Sequence, residues 1–264
     1  MFSLRLQCPR TEAEIVSAEL WEFGAIAISE GEENERTTLL AGFEDERSRD
    51  FLLARFADHT PVWQEDRTDW ISNTERAWPP RMVGQKLFLA TPWRDDPTPP
   101  GRIRIIHNPG LASGTGEHPC TQLVLEALER CIVPGAKVLD VGTGSGILTI
   151  AAWQLGAGFA LGIDPDTEAL QTARENFKLN GLTPALAAGS ADCIADGWAD
   201  TTVANISGTV LISILDDLLR VTRPGGQLIL SGFINDETPA FLRLFPDAEQ
   251  TTREGWSCLT VCQS

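Results

Sequence analysis

Lysine is scarce in this sequence. Lys86, Lys137 and Lys178 are the whole complement, arginine supplies the other basic side chains, and 21 basic residues stand against 37 acidic ones for a net charge of -16 over 264 residues. The cationic footprint that nucleic acid demands is missing, so no direct nucleic-acid binding is expected. A strongly acidic chain favours encounter with a basic partner, although charge also serves solubility alone. No stretch approaches the ~18 consecutive apolar residues of a membrane helix. Residues 1–10 alternate apolar with polar and hold no apolar signal core, which argues for a cytoplasmic protein without membrane contact. Cys8, Cys120, Cys131, Cys193, Cys258 and Cys262 form no C-x-x-C pair. A zinc ribbon is thereby excluded, no metal is expected, and the thiols read as reduced. Low-complexity tracts and repeats of 20–50 residues are absent. What is there is an ordinary globular composition, 42% hydrophobic and 22% charged, long enough for one large domain or a large and a small one.

Residues 1–64 read as a small α/β unit. Phe2, Leu4 and Leu6 alternate with polar residues, as in a strand with one buried face. Thr11 and Glu14 have the spacing of a capping box. Ile15, Ala18, Leu20 and Phe23 follow at helical spacing, and Gly24 supplies a left-handed cap. Residues 25–29 read as a second strand, residues 30–35 as an acidic turn, and residues 37–43 as a third strand. Phe51, Leu52 and Phe56 mark a second helix, and residues 61–64 a fourth strand. The order βαββαβ is the ferredoxin-like one. Through residue 70 there are 16 acidic residues against 7 arginines, a net of -9. The acidic turn reads either as a solvated loop or as a feature that meets a basic protein. Residues 65–84 are expected to be a linker helix, with Trp70 and Trp78 two helical turns apart, stopped at Pro79-Pro80. Beyond it, residues 85–91 and 102–106 read as strands joined across a Pro- and Asp-rich break.

The strongest signal is Asp140-Val141-Gly142-Thr143-Gly144-Ser145-Gly146 between an apolar strand and an apolar helix over 147–155. Strand, glycine turn and helix bring backbone close to a ligand at the carboxyl end of a parallel strand. A dinucleotide fingerprint needs a third glycine at 147, where the chain has Ile147, so a nicotinamide dehydrogenase is disfavoured and a nucleoside ligand without pyrophosphate is expected. The next strand ends at Asp164, 22 residues after Gly142, where a carboxylate can accept both ribose hydroxyls. Asp166 reads as the N-cap of the following helix and Asn180-Gly181 as its end. Ser190-Ala191-Asp192 reads as an adenine-edge contact or a plain turn. A fourth strand ends in Val203-Ala204-Asn205-Ile206, placing Asn205 at the switch-point crevice, and a helix over 209–221 follows.

These motifs resemble the class I methyltransferases that use S-adenosylmethionine. The run Asn108-Pro109-Gly110-Leu111-Ala112-Ser113-Gly114-Thr115-Gly116-Glu117-His118-Pro119-Cys120-Thr121, with Gly162-Ile163-Asp164, Pro92-Trp93 and Glu254-Gly255-Trp256, is similar to the ribosomal protein L-eleven methyltransferase family. The resemblance runs from about residue 69 to the C-terminus. It implies a Rossmann-like α/β domain over 85–264, with a mostly parallel sheet and helices on both faces, preceded by the ferredoxin-like domain over 1–64 as a substrate-recognition unit. It also implies that Thr121, Asp140, Gly142, Gly144, Asp164 and Asn205 serve S-adenosyl-L-methionine, that Asn205 is the catalytic residue, and that the Gly114-Thr115-Gly116 loop closes over the donor methyl. The expected reaction is methyl transfer to amino groups, on lysine side chains or the N-terminus, of the basic ribosomal protein L-eleven by a monomer. The alternatives are a lysine methyltransferase acting on another protein such as electron-transfer flavoprotein, and a non-catalytic protein-binding paralogue. Two positions depart from the family pattern: Ser113 replaces the usual Phe, and Cys120 a usual Thr. His118, carried on the closing loop, reads as a structural histidine or as the best-placed base; no strong general base is evident.

Overall fold

The structure, a computed structural model, describes residues 2–33, 36–43, 45–65, 79–108, 116 and 118–263. Contacts divide the chain into two units, residues 1–74 and 75–264. No helix among the described residues is long and apolar enough to cross a membrane.

The first unit runs β1 (Phe2–Pro9), α1 (Ala13–Glu22), β2 (Ala27–Glu33), β3 (Arg36–Phe43), α2 (Arg49–Arg55) and β4 (Val62–Glu65), with sheet order β2-β3-β1-β4 and every pairing antiparallel. That is the expected ferredoxin-like sheet. Leu4, Leu6 and Cys8 of β1 alternate into a core with Val16, Leu20, Leu39, Leu52 and Phe56. Three local expectations are corrected. Residues 10–12 form a 3-10 turn, so α1 starts at Ala13 with Glu12 as N-cap and no side-chain cap, and Thr11 lies too early to close a capping box. Ile15 and Phe51 stand on the outer side of their helices, more than half exposed. The acidic residues 30–33 extend β2, where Glu32 and Glu33 pair with Thr37 and Arg36, because strand pairing satisfies backbone groups that a loop would leave to water. At the end of α1 the prediction holds: Gly24 has φ +89°, and Ala25 and Gly24 donate back to Leu20 and Trp21, a Schellman closure.

The second unit begins with β5 (Arg81–Val83), β6 (Leu87–Ala90) and β7 (Ile103–Ile106), a small three-stranded sheet. The segment with Trp70 and Trp78 lies outside the described residues. A linker helix reaching residue 84 is excluded, because residues 81–83 are strand β5, paired with Leu87–Leu89 after the two prolines. There follow α3 (Pro119–Cys131), β8 (Lys137–Val141), α4 (Ile147–Gln154), β9 (Phe159–Asp164), α5 (Thr167–Leu179), β10 (Leu186–Ala188), β11 (Ala199–Asn205), α6 (Gly208–Ser213), α7 (Leu215–Val221), β12 (Thr222–Ile234), α8 (Thr238–Leu244), β13 (Glu249–Arg253) and β14 (Trp256–Cys262). The main sheet has the order β10-β9-β8-β11-β12-β14-β13, parallel from β10 to β12 and antiparallel through β14. Alternate residues feed two cores. Val138, Val203 and Ile229 pack with α3 and α4, while Leu139, Ala204, Leu228 and Leu230 pack with α6, α7 and α8. The helix expected over 209–221 is broken at Ile214. There Ile214 leaves helical dihedrals at φ -113°, while its N–H and the Ser213 hydroxyl both end on the Val210 carbonyl, at 3.1 and 2.7 Å.

The order of parallel strands reverses between β8 and β11, which are neighbours with Ala204 opposite Val141. A crevice outside the carboxyl ends of these two strands is where such a sheet receives a ligand.

Candidate functional site

The turn after β8 is made by backbone that only glycine adopts easily. Gly142 has φ +73° and Gly144 φ +52°, and a Cβ on Gly142 would come to 2.5 Å from Ile206 Cγ2. Gly142 and Thr143 both donate their N–H to the Ile163 carbonyl, at 2.9 and 3.0 Å, tying the turn to β9. Asp164 completes the tie. Its Oδ2 accepts the Gly144 N–H and its Oδ1 the Asp166 N–H, each at 2.9 Å. Each carboxylate oxygen carries two acceptor sites, so one on each remains for a pair of hydroxyls. Asp166 caps α5 as expected, accepting the Glu168 N–H at 2.8 Å.

Thr121, Gly142, Gly144, Asp164 and Asn205 come together on one cleft of about 930 Å³, with Pro165, Ser190, Ile206 and Trp256 among its other walls. Ser190 therefore faces the cleft, while residues 191–193 form the turn weighed as its alternative. Asp140 does not line the cleft. It lies beneath the glycine turn, 1% exposed, where its Oδ2 accepts the Thr143 and Thr149 hydroxyls, both at 2.7 Å. Burial, against those two hydrogen bonds, raises its pKa from 3.8 to about 6. The side chain thus holds the turn from below; its place in the glycine motif made it look like a ligand contact.

Asn205 ends β11 beside the turn. Its Nδ2 donates to Thr121 Oγ1 at 3.3 Å, and its Oδ1 is buried with no partner among the described residues. Cys120 is 7% exposed and its thiol is pushed up chiefly by burial. His118 is the N-cap of α3: its Nδ1 accepts the Cys120 N–H and lies 2.8 Å from Cys120 Sγ. That nitrogen is engaged in the cap, which supports the structural reading of the histidine. Ser113, Gly114 and Thr115 lie outside the described residues.

Some contributors were present in the sequence without pointing to the cleft. Trp256, brought by the antiparallel β14, meets His118 edge to face at 4.5 Å between ring centres. Asn176 and Asn180, one helical turn apart on α5, bind the chain just before the 109–117 segment. Asn176 exchanges hydrogen bonds with the Asn108 backbone and donates to the Ser145 carbonyl at 2.9 Å, and Asn180 pairs with both backbone groups of Ile106. An i, i+4 asparagine pair was the available cue, and helix closure was the simpler reading of it.

The cleft suits a nucleoside carrying a charged amino-acid tail. Its volume falls in the range of small-molecule pockets, the carboxylate at Asp164 has room for two hydroxyls, and the turn leaves no side chain in the way. A family model described as ribosomal protein L11 methyltransferase matches residues 1–264. A protein of that name from Dechloromonas aromatica is 40% identical over 195 residues, 72% of this chain and 65%, just under two thirds, of that protein. Another from Burkholderia mallei is 32% identical over 287 residues, 96% of this chain and 95% of that protein. The crystal structure of a ribosomal protein L11 methylase from Lactobacillus delbrueckii subsp. bulgaricus superposes with a TM-score of 0.64 at 32% identity, over 70% of this chain and 99% of that one.

Proposed function

This chain belongs to the ribosomal protein L11 methyltransferase family, and from that premise we propose that it transfers methyl groups from S-adenosyl-L-methionine to amino groups of ribosomal protein L11. The observation that carries the reading is the buried Oδ1 of Asn205 at the strand switch point, which has no partner among the described residues. A buried acceptor left empty costs about 1–3 kcal/mol, and an incoming N–H relieves that cost.

When bound, S-adenosylmethionine supplies a methyl group on a sulfonium, open to in-line attack by a neutral nitrogen. The chain's own residues do the rest. Asp164 accepts the ribose hydroxyls. The Gly142–Gly144 turn lets backbone approach the amino-acid tail, while Thr121 and Asn205 close the other side. Asn205 Oδ1 accepts one N–H of the acceptor amine and so aims its lone pair, which is catalysis by orientation. Asn205 is too weak a base to hold the proton, so the amine arrives neutral. For a lysine that costs roughly 4.6 kcal/mol at pH 7 in water, from a pKa near 10.4, and removal of the amine from water in the cleft lowers the cost. The N-terminal unit, with its net charge of -9 through residue 70, receives the basic protein by charge complementarity. The enzyme acts in the cytoplasm, where its substrate is made.

Incubation with methyl-labelled cofactor and purified L11 tests the assignment. Label on L11 supports it. Calorimetric binding of S-adenosylhomocysteine without any label on L11 overturns the substrate and leaves the cofactor standing.

A further inference from the structure

In the Glu254-Gly255-Trp256 run, the first two residues make a turn. Arg253 pairs with Trp256 across β13 and β14, and residues 254 and 255 between them take left-handed backbone, φ +49° and +85°, as a tight hairpin requires. The turn is held on two sides. The Gly255 carbonyl accepts the Asn235 N–H at 2.8 Å, and the Arg253 guanidinium reaches the Gln122 and Glu126 side chains of α3, at 3.0 Å each. That anchoring delivers the Trp256 ring to the cleft wall. Val203, Ile229 and Cys258 belong to one core, and Trp256 packs against it. Side chains alternate along a strand, so Asn205, two residues beyond Val203, stands on the same face of the sheet as Trp256. The first turn of α3 touches both. His118 meets the indole at 4.5 Å between ring centres, and Thr121 Oγ1 accepts the Asn205 amide N–H at 3.3 Å.

Charge is unevenly placed around this cleft. Among the described residues that line it, the carboxylates are Asp164, Asp166 and Glu168, all at the end of β9 or the start of α5, and none is a lysine or an arginine. The side with Asn205, Thr121, His118 and Trp256 holds no carboxylate among them. Methyl transfer nevertheless puts a cation there. As the amine's lone pair forms the new C–N bond, the C–S bonding pair stays with sulfur, so one positive charge passes from sulfur to nitrogen, and the methylated ammonium then gives a proton to water. A carboxylate beside the nitrogen would favour that charge but would also hold the incoming amine protonated. An aromatic ring attracts a cation through its quadrupole and takes up no proton. We propose that Trp256 is the aromatic seat for the positive charge that develops on the acceptor nitrogen, while the Asn205 carbonyl aims the lone pair. The inference rests on the role given above to Asn205 and its cleft.

Two measurements on the full chain test it. In the first, Trp256 alone is replaced by tryptophans of increasing ring fluorination, which drain the π face at nearly constant shape, and by leucine as Trp256→Leu. The expected result is a kcat on L11 that falls stepwise with fluorination, by about tenfold or more for the most fluorinated ring. Affinity for S-adenosylhomocysteine, by calorimetry, should stay within about twofold of the parent across the fluorinated series. The second measurement needs no methyl transfer. A quaternary ammonium has no N–H to offer Asn205, so it isolates the contribution of the ring. NMR titration of the S-adenosylhomocysteine complex with choline and with its uncharged carbon isostere, 3,3-dimethylbutan-1-ol, should show choline bound at least about fivefold more tightly by the parent. That preference should shrink with fluorination and vanish in Trp256→Leu. A kcat that is flat across the fluorinated series, a parent without preference for choline, or a preference that survives Trp256→Leu would each overturn the proposal. So would fluorination that weakens S-adenosylmethionine but not S-adenosylhomocysteine and leaves kcat unchanged, which places the ring against the sulfur instead. If the choline preference follows the ring while the parent moves no methyl to L11, it is the substrate reading that fails and the cation seat stands.

Discussion

Two buried aspartates near one glycine turn do different work, and their hydrogen bonds tell them apart. Asp164 borders the cleft and keeps acceptor capacity after serving Gly144 and Asp166. Asp164→Ala is expected to weaken S-adenosylhomocysteine binding by about 1–3 kcal/mol, the scale of hydrogen bonds to a charged group. Calorimetry reads this directly, and unchanged affinity would remove Asp164 from the ribose role. Asp140 lies below the turn with its pKa raised to about 6. A carboxyl that binds its proton more tightly folded than unfolded stabilises the protein fully below the ordinary 3.8, and this contribution is lost as pH rises through about 6. The loss amounts to roughly 3 kcal/mol, at 1.36 kcal/mol per unit. Asp140→Asn stays neutral and still offers an acceptor to the Thr143 and Thr149 hydroxyls. Its stability relative to the parent should therefore improve by up to about 3 kcal/mol between pH 4 and pH 7. Urea unfolding of both proteins at the two pH values decides this, and a flat difference would show that Asp140 carries no such penalty.

At the scale of elements, the parts that were readable in the sequence are those where backbone chemistry and side-chain pattern agree. The glycine turn, the strand ending at Asp164 and the Asp166 cap declare themselves through residue types that fit few other conformations. Where two local solutions compete, tertiary pairing decides. Glu30 to Glu33 have the composition of a loop and became strand because β3 offers them partners. The helix after β11 breaks at Ile214, whose dihedrals leave the helical region, although residues 209–221 read as one helix. Trp256 reaches the cleft only because β14 runs antiparallel beside β12, a long-range pairing that no local pattern announces. Asn176 belongs here too, since it joins α5 to Asn108 and Ser145 from a fully buried position. Asn176→Ala leaves those backbone groups unsatisfied and should cost about 2–3 kcal/mol of unfolding free energy. The same substitution should lower cofactor affinity, because Ser145 sits in the glycine turn. Denaturant titration and calorimetry check the two effects, and a stable variant with parental affinity would reduce Asn176 to a helix residue.

For the whole molecule, the scarcity of lysine acquires a sense. On the proposed transfer to amines, a chain that carries three lysines itself offers its own cleft few competing acceptors, and its acidity is concentrated in the first 70 residues. On the proposed division of labour, the chain lacking residues 1–64 should bind S-adenosylhomocysteine as the full chain does and lose transfer to L11. Full residual transfer would show that recognition lies elsewhere. Raising salt from about 0.05 to 0.5 M should raise KM for L11 while kcat stays within about twofold, because exposed charge attraction is screened. The central claim, that this cleft delivers methyl groups to amines of L11, is met most directly by the intact mass of L11 after incubation with the enzyme and S-adenosylmethionine. The account predicts an increase in whole multiples of one methyl group that disappears when Asn205 is replaced by alanine. An L11 mass unchanged by enzyme that binds cofactor would contradict it.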